Sequence, residues 1–297
     1  AAHGAGGPPA PRGCRLKRAF IRPALHVRWV LPLVVVVGAF VVWRSAAAMH
    51  WREVAPGLEF ATLRGEPWCR RGSAAIAVLR LDPERVRLRV HHWSQTGAEH
   101  PLDVVEWQQH THAVAVFNAG QFYPDLSYMG LLASGGRWLS RQAHPGYQAV
   151  LVADRRSRGG GGARVLDLAD PERARDSLAW REVAQSYMLF DSTGALRVRR
   201  SERIANRTVV AEDRHRRILV LVSEGSYTLA DFAFVLQNSS LQLSHAMSMD
   251  GGREAELVVT RGSFRYASFG PWLDATEHPD AIASRTPLPA VITLELP

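Results

Sequence analysis

The chain has 297 residues, is 46% apolar and carries a formal net charge of +8, so it holds enough apolar material for a sizeable core and is not disordered throughout. The charge is unevenly spread: residues 1–50 contain seven Arg or Lys and no Asp or Glu, leaving only +1 for the other 247 residues. The body therefore lacks the excess cations needed to track a phosphate backbone, and nucleic acid is not an expected partner.

Residues 1–23, rich in Gly, Pro and Arg, read as a disordered basic cytoplasmic tail. The run from Trp29 to Trp43 has no charge between Arg28 and Arg44. At about 1.5 Å per residue it falls short of a hydrocarbon layer of about 30 Å. Counting the apolar neighbours within 24–49 and snorkelling arginines closes the gap. Cations in front of the run hold that end in the cytoplasm. The expectation is a single-pass signal anchor in the lipid bilayer, with the body extracytoplasmic, periplasmic or at the cell surface. The small residues Ala46-Ala47-Ala48 also suit a signal-peptide cleavage site. Cys14 and Cys69 then lie on opposite sides of the membrane, which leaves neither a disulfide framework nor a cysteine metal site.

Within residues 51–297 the pattern predicts strands over 74–81 and 86–92, joined as a hairpin through Asp82-Pro83-Glu84. Asp103 with Glu106 has the reciprocal-cap spacing of a helix start, and the helix should run to about His110. The apolar strand 113–117 ends at Asn118-Ala119-Gly120, where a buried strand delivers a polar group and a glycine. Further strands are expected over 147–152, 165–168, 186–190, 207–211, 218–222 and 288–294, with a short helix over 171–180 and a surface loop over 155–162. Thr228 and Asp231 mark another helix, with Leu229, Phe232, Ala233 and Leu236 along one face. Without an internal repeat or composition break, 51–297 reads as one α+β domain, a mixed sheet with a few short helices, preceded by the transmembrane helix.

Several chemistries are poorly supported. His91, His92, His110 and His112 lack a carboxylate at ligand spacing, Ser226 lacks the Gly-x-Ser-x-Gly elbow of a serine hydrolase, and the loop 155–162 lacks the Gly-Lys-Ser/Thr of a phosphate cradle. What remains is a set of strand ends carrying polar groups beside small residues: Asn118 with Gly120, Arg207 with Thr208, Glu224 with Ser226, and Asp250 with Gly251 and Gly252. Asp-Gly between two strand-like runs is by itself a hairpin signal. The competing reading is that the glycines bring bare backbone N–H groups to a ligand while Asp250 projects into the same space.

Taken in order, Asn118-Ala119-Gly120-Gln121-Phe122, Gly130-Leu131-Leu132, Gln185-Ser186, Arg207-Thr208, Ser226-Tyr227-Thr228-Leu229-Ala230-Asp231, Met249-Asp250-Gly251-Gly252 and the closing Leu288-Pro289-Ala290-Val291-Ile292 resemble the phosphodiester glycosidase family. This domain is known from the mannose 6-phosphate uncovering enzyme and from bacterial exopolysaccharide-associated proteins. The resemblance implies a hydrolase that cleaves a sugar-1-phosphodiester in envelope or exopolysaccharide glycans. It places Asp250, Glu224 and Arg207 as catalytic candidates and Asn118, Gly120, Thr208, Ser226, Gly251 and Gly252 as substrate-binding ones. No cofactor is firmly implied, although a carboxylate beside a glycine turn leaves room for a divalent cation such as Ca²⁺. Arg253-Glu254-Ala255 and Val209-Val210-Ala211-Glu212 depart from the family's pattern. The Arg253-Glu254-Ala255 departure favours the alternative of a catalytically degenerate module that binds envelope glycans or phosphates.

Overall fold

In the computed structural model of the protein, residues 49–156, 162–270 and 285–297 are described. The tail 1–23, positions 24–48 of the expected anchor and most of the loop 155–162 lie outside them. Among the described residues, no helix is long and apolar enough to cross a membrane.

In chain order the strands are β1 (Arg52–Ala55), β2 (Leu58–Arg64), β3 (Ala75–Leu81), β4 (Arg87–His92), β5 (Ala115–Asn118), β6 (Leu132–Ser134), β7 (Arg137–Ser140), β8 (Ala149–Arg155), β9 (Ala163–Asp167), β10 (Trp180–Phe190), β11 (Arg207–Asp213), β12 (Ile218–Ser223), β13 (Leu243–Gly251), β14 (Leu257–Arg261), β15 (Phe264–Ser268) and β16 (Ala290–Glu295). The α-helices are α1 (Val104–Thr111), α2 (Pro171–Asp176) and α3 (Leu229–Gln237). The result is a sheet-rich α+β domain with few and short helices.

The strands form two sheets. The larger runs β1-β2-β3-β12-β11-β13-β10-β6-β7, with β8 also on β10 and β9 on β8, and the smaller runs β15-β14-β5-β16-β4. All pairings between these strands are antiparallel. Period-two alternation explains the layering, because successive side chains of a strand point to opposite faces. Along β12, Ile218, Val220 and Val222 enter the core between the sheets, while Leu219 and Leu221 pack on the outer side with Phe232, Ala233 and Leu236 of α3. Along β5 and β16, Phe117 and Ile292 face the shared core, and Val116 and Val291 face outward to Trp107 of α1. Central strands buried on both faces are continuously apolar, which is how 113–117 and 218–222 declare themselves in the sequence.

The helix ends follow their caps. Asp103 Oδ1 accepts from the N–H groups of Val105 and Glu106, and Glu106 Oε2 accepts from Asp103 N at 2.8 Å. Thr228 Oγ1 accepts from Asp231 N at 3.0 Å and starts α3. The stretch 171–180 is helical only to Asp176, continues as a 3-10 turn to Ala179, and gives way to β10 at Trp180.

Two hairpin expectations do not hold. β3 pairs with β2 and β12, whereas β4 pairs with β16, so the turn at Asp82-Pro83-Glu84 carries the chain from one sheet to the other. β13 and β14 likewise belong to different sheets, so Asp250-Gly251-Gly252 is a crossing and not a hairpin. In both cases each strand is flanked by other partners that bury it, which turn chemistry alone does not reveal. The sequence also passes over β1, β2, β6, β7 and β15, which are short or only half-buried and carry little periodic signal.

Candidate active site

The crossing from β13 to β14 builds the site. Arg207 pairs with Gly251 and Val209 with Ser248, so β13 has one more residue than β11 in this interval. This bulge falls on Met249 and Asp250. An inserted residue of this kind breaks the alternation and re-aims a side chain. Met249 stays in the core, and Asp250 N donates to Ala119 O at 3.1 Å across to the end of β5.

Asn118 ties the two sheets together. Its Nδ2 donates to Asp250 O at 2.9 Å, and its Oδ1 accepts from Thr208 Oγ1 at 2.7 Å and from Glu256 N at 3.3 Å. Asn118 and Thr208 are almost fully buried, so both act on the placement of Asp250 through its backbone. Gly120 N donates to Tyr128 Oη at 3.1 Å, and Tyr128 Oη donates to Gln185 O at 2.8 Å.

The glycines are required by close approach. A Cβ on Gly251 would lie 2.7 Å from Asn206 O, and Gly252 has φ +81°, a left-handed conformation that disfavours side chains. Gly252 N donates to Asn206 O at 2.9 Å, and Gly251 N donates to Asp250 Oδ1 at 2.9 Å. The turn thus holds the carboxylate from its own backbone.

Burial pushes the Asp250 carboxyl up to about 7, with the Glu254 carboxylate adding to the rise. The Gly251 N–H, Gln121 and Arg203 oppose it. Arg207 is buried and donates through Nε to Tyr227 O at 3.0 Å and through Nη2 to Arg203 O at 2.9 Å. Half of its planar fork is therefore committed to main-chain carbonyls, and Nη1 lies 3.4 Å from a Cβ position on Gly251. Burial lowers Arg207 to about 10, helped by Arg203 and opposed by Asp250, so it remains a cation at neutral pH.

Of the residues singled out in the sequence, Asn118, Thr208, Arg207, Asp250, Gly251 and Gly252 are brought together. Ser226 stands a step behind, its Oγ donating to Asn206 Oδ1 at 3.1 Å. Glu224 is engaged elsewhere, accepting from Ser73 Oγ at 2.9 Å and from Tyr266 Oη at 2.9 Å. The carboxylate that acts on Asp250 is instead Glu254, four residues along in the crossing. Sequence reasoning also missed Arg203, in an irregular segment, and Gln121, within the Asn-Ala-Gly motif itself. Only its place in that motif marked Gln121. His91 and His92 are internally satisfied: His91 Nε2 lies 3.0 Å from Thr293 Oγ1 and His92 Nδ1 lies 2.8 Å from Ser94 Oγ. Burial pushes the His91 ring down to about 4, with Arg89 and His110 adding to the drop. Among the described residues, no group of three or more His, Cys, Asp or Glu is placed to hold a metal ion.

A family model described as phosphodiester glycosidase matches residues 111–292, which span every element of this cluster. The chain belongs to the phosphodiester glycosidase family. Among solved structures, this glycosidase-family chain is similar to a hypothetical protein from Synechocystis, with TM-score 0.59 and 13% identity over 85% of this chain and 64% of that one. It is also similar to the catalytic domain of zebrafish N-acetylglucosamine-1-phosphodiester alpha-N-acetylglucosaminidase auto-inhibited by its pro-peptide, with TM-score 0.57 and 14% identity over 86% and 91% of the two chains. At these identities the likeness is one of fold. No curated protein sequence matches the chain.

Proposed function

We propose that the protein hydrolyses a sugar-1-phosphodiester, releasing the sugar and leaving a phosphomonoester, with Asp250 as the carboxylate that activates water. The observation that carries this reading is the bulged, half-buried Asp250, its carboxyl raised to about 7, beside the cations Arg207 and Arg203. Cleavage at an anomeric carbon passes through an oxocarbenium-like state. The departing phosphate needs little help from a proton, because a phosphomonoester's second pKa is about 6. Assistance is therefore required on the side of the water, where a base with a pKa near the working pH is most effective. Arg207 Nη1 and the Arg203 guanidinium supply positive charge for the phosphate. The buried Asn118 and Thr208 hold the Asp250 backbone, and Gly251 and Gly252 keep the approach free of side chains.

Glu224 is assigned here to fixing Tyr266 and Ser73 and not to the chemistry. The anchoring of this activity outside a membrane is part of the same proposal, and rests on the charge asymmetry around residues 29–43. A membrane fraction that releases the protein only with detergent would support it, and release by salt alone would refute it.

The deciding experiment incubates the full chain with p-nitrophenyl phosphodiesters of several sugar-1-phosphates and measures free sugar. Wild-type turnover that falls by about a thousand-fold or more in Asp250→Asn, on the scale of losing a principal catalytic group, supports the assignment. Turnover retained in Asp250→Asn refutes it. Saturable binding without turnover in either protein supports the degenerate binding module instead.

A further inference from the structure

Beside the Asp250 cluster lies a cavity of about 440 Å³, walled by the end of β4, the β6–β7 hairpin and the chain around 123–128 and 140–145. Its size falls in the range of about 300–1,000 Å³ in which small-molecule sites are found. It shares a wall with the site: Tyr128 lines it and at the same time receives the Gly120 N–H. His144, also in its lining, packs at a tilt on Tyr147 with ring centres 3.9 Å apart, and Tyr147 packs at a tilt on Tyr187 at 4.3 Å. Tyr187 pairs with Ser248, two residues before Asp250.

The wall is held by a buried side chain. Gln185, 1% exposed on β10, accepts through Oε1 from Leu131 N at 2.9 Å and His144 N at 3.0 Å, and donates through Nε2 to His144 O at 3.1 Å and Tyr147 O at 2.7 Å. One amide thus fixes the loop from 131 to 147. Gly130 is tied to the same group, since a Cβ there would meet Gln185 Oε1 at 2.6 Å.

The lining has a definite chemistry. It combines the aromatic residues Trp138 and Tyr123, the latter 40% exposed, with the polar Ser140, Gln142 and His144 and the exposed Arg137. Arg141 adds a second cation over Trp138, 5.4 Å from the ring centre. Among the described residues, no Asp or Glu lines the cavity. The neighbouring Asp125 is turned onto Ser127, whose N and Oγ it accepts at 3.0 and 2.6 Å. Aromatic faces with convergent hydroxyl and amide groups suit a sugar ring, and an acid-free wall with an arginine at its rim suits a negative charge on that ring.

We propose that this cavity is a binding subsite for an anionic sugar residue, carried on the far side of the phosphodiester from the sugar that is released. This assignment of the leaving portion rests on the hydrolytic reading of Asp250, but the binding itself does not.

The test therefore has two arms on the full chain. In the first, calorimetry measures binding of a digalacturonate and of the neutral disaccharide maltose. The expectation is saturable binding of the digalacturonate only, weakened about ten-fold by Arg137→Ala and more by Arg137→Glu, as for loss and reversal of one charge-assisted contact. Arg137 is exposed, so neither variant endangers the fold. No digalacturonate binding, equal binding of maltose, or affinity unchanged in Arg137→Glu each overturns the subsite.

In the second arm, hydrolysis of one sugar-1-phosphate is compared with a methyl and with a uronate-bearing leaving portion. Arg137→Ala should raise KM about ten-fold for the uronate substrate and leave the methyl substrate within about two-fold. Equal effects on both overturn the placement across the diester. Digalacturonate binding intact with no hydrolysis of either substrate refutes the hydrolytic reading and leaves the cavity as a sugar-binding site.

Discussion

Glu256 tests the electrostatics of the crossing in isolation from turnover. It is 1% exposed, and among the described residues its Oε1 accepts only from Thr286 N at 3.3 Å and its Oε2 has no hydrogen-bond partner. Burial pushes its carboxyl up to about 8, with Asp103 and Glu254 adding to the rise and the Thr286 N–H and Arg285 opposing it. The folded protein therefore holds this proton at pH 7, while the unfolded chain, with an ordinary glutamate value of 4.5, has lost it. The sign follows from proton counting: between 4.5 and about 8 the folded state binds more protons, so stability falls as pH rises through that window. At about 1.4 kcal/mol per pH unit the ceiling is about 5 kcal/mol, and local relaxation brings the expected loss to about 2–5 kcal/mol. Glu256→Gln keeps the shape and removes the titration. Urea unfolding of both proteins from pH 4.5 to 9 should show the variant gaining about 2–5 kcal/mol on the wild type across the series. Asp250 contributes equally to both proteins and cancels. Curves that stay parallel to within about 1 kcal/mol would refute the burial argument for this residue.

The remaining expectations concern the site. With Asp250 as base, activity should rise with pH through about 7, and Glu254→Gln, which removes the neighbouring like charge, should move that limb to lower pH in a kcat/KM profile; an unmoved limb argues against this coupling. Thr208→Val deletes the 2.7 Å bond to Asn118 Oδ1 and leaves a buried acceptor short of a partner, which should cost about 1–3 kcal/mol in denaturant unfolding. Gly251→Ala places a methyl 2.7 Å from Asn206 O, a fixed backbone atom, and should reduce turnover at least ten-fold by shifting Asp250, a 1 Å displacement being worth about 10²-fold; wild-type kinetics in this variant would show that the crossing has slack.

How much of this was legible beforehand depended on whether the signal was local. The caps at Asp103 and Thr228 and the buried strands expected over 113–117 and 218–222 follow from short-range chemistry; the caps reappear in place and the strands as 115–118 and 218–223. The identities of Asn118, Thr208, Arg207 and Asp250 were carried by ordered motifs, and the family model covers them all. Sequence pattern alone could not say which strands are neighbours. The runs 74–81 and 86–92, and likewise the two runs on either side of Asp250-Gly251-Gly252, look like hairpins because their turns are short, yet each pair is divided between two sheets. That division is decided by which partners bury both faces of every strand, a property of the whole fold.

The chemistry turned on the same distinction. In the sequence Glu224 is the second carboxylate candidate and Glu254 only a departure from the motif, but Tyr266 and Ser73 engage the first, whereas the charge of the second adds to the rise of Asp250. The bulge at Met249 and Asp250 exists only because the pairing of β11 with β13 shifts by one residue between its two sides. Composition, capping and motif order therefore pointed to a sheet-rich α+β domain and to most of the residues that the crossing brings together, since these depend on neighbours in the chain. The direction of Asp250, its raised carboxyl and its real partners were decided by tertiary structure, because burial and like-charge proximity arise only when distant strands meet.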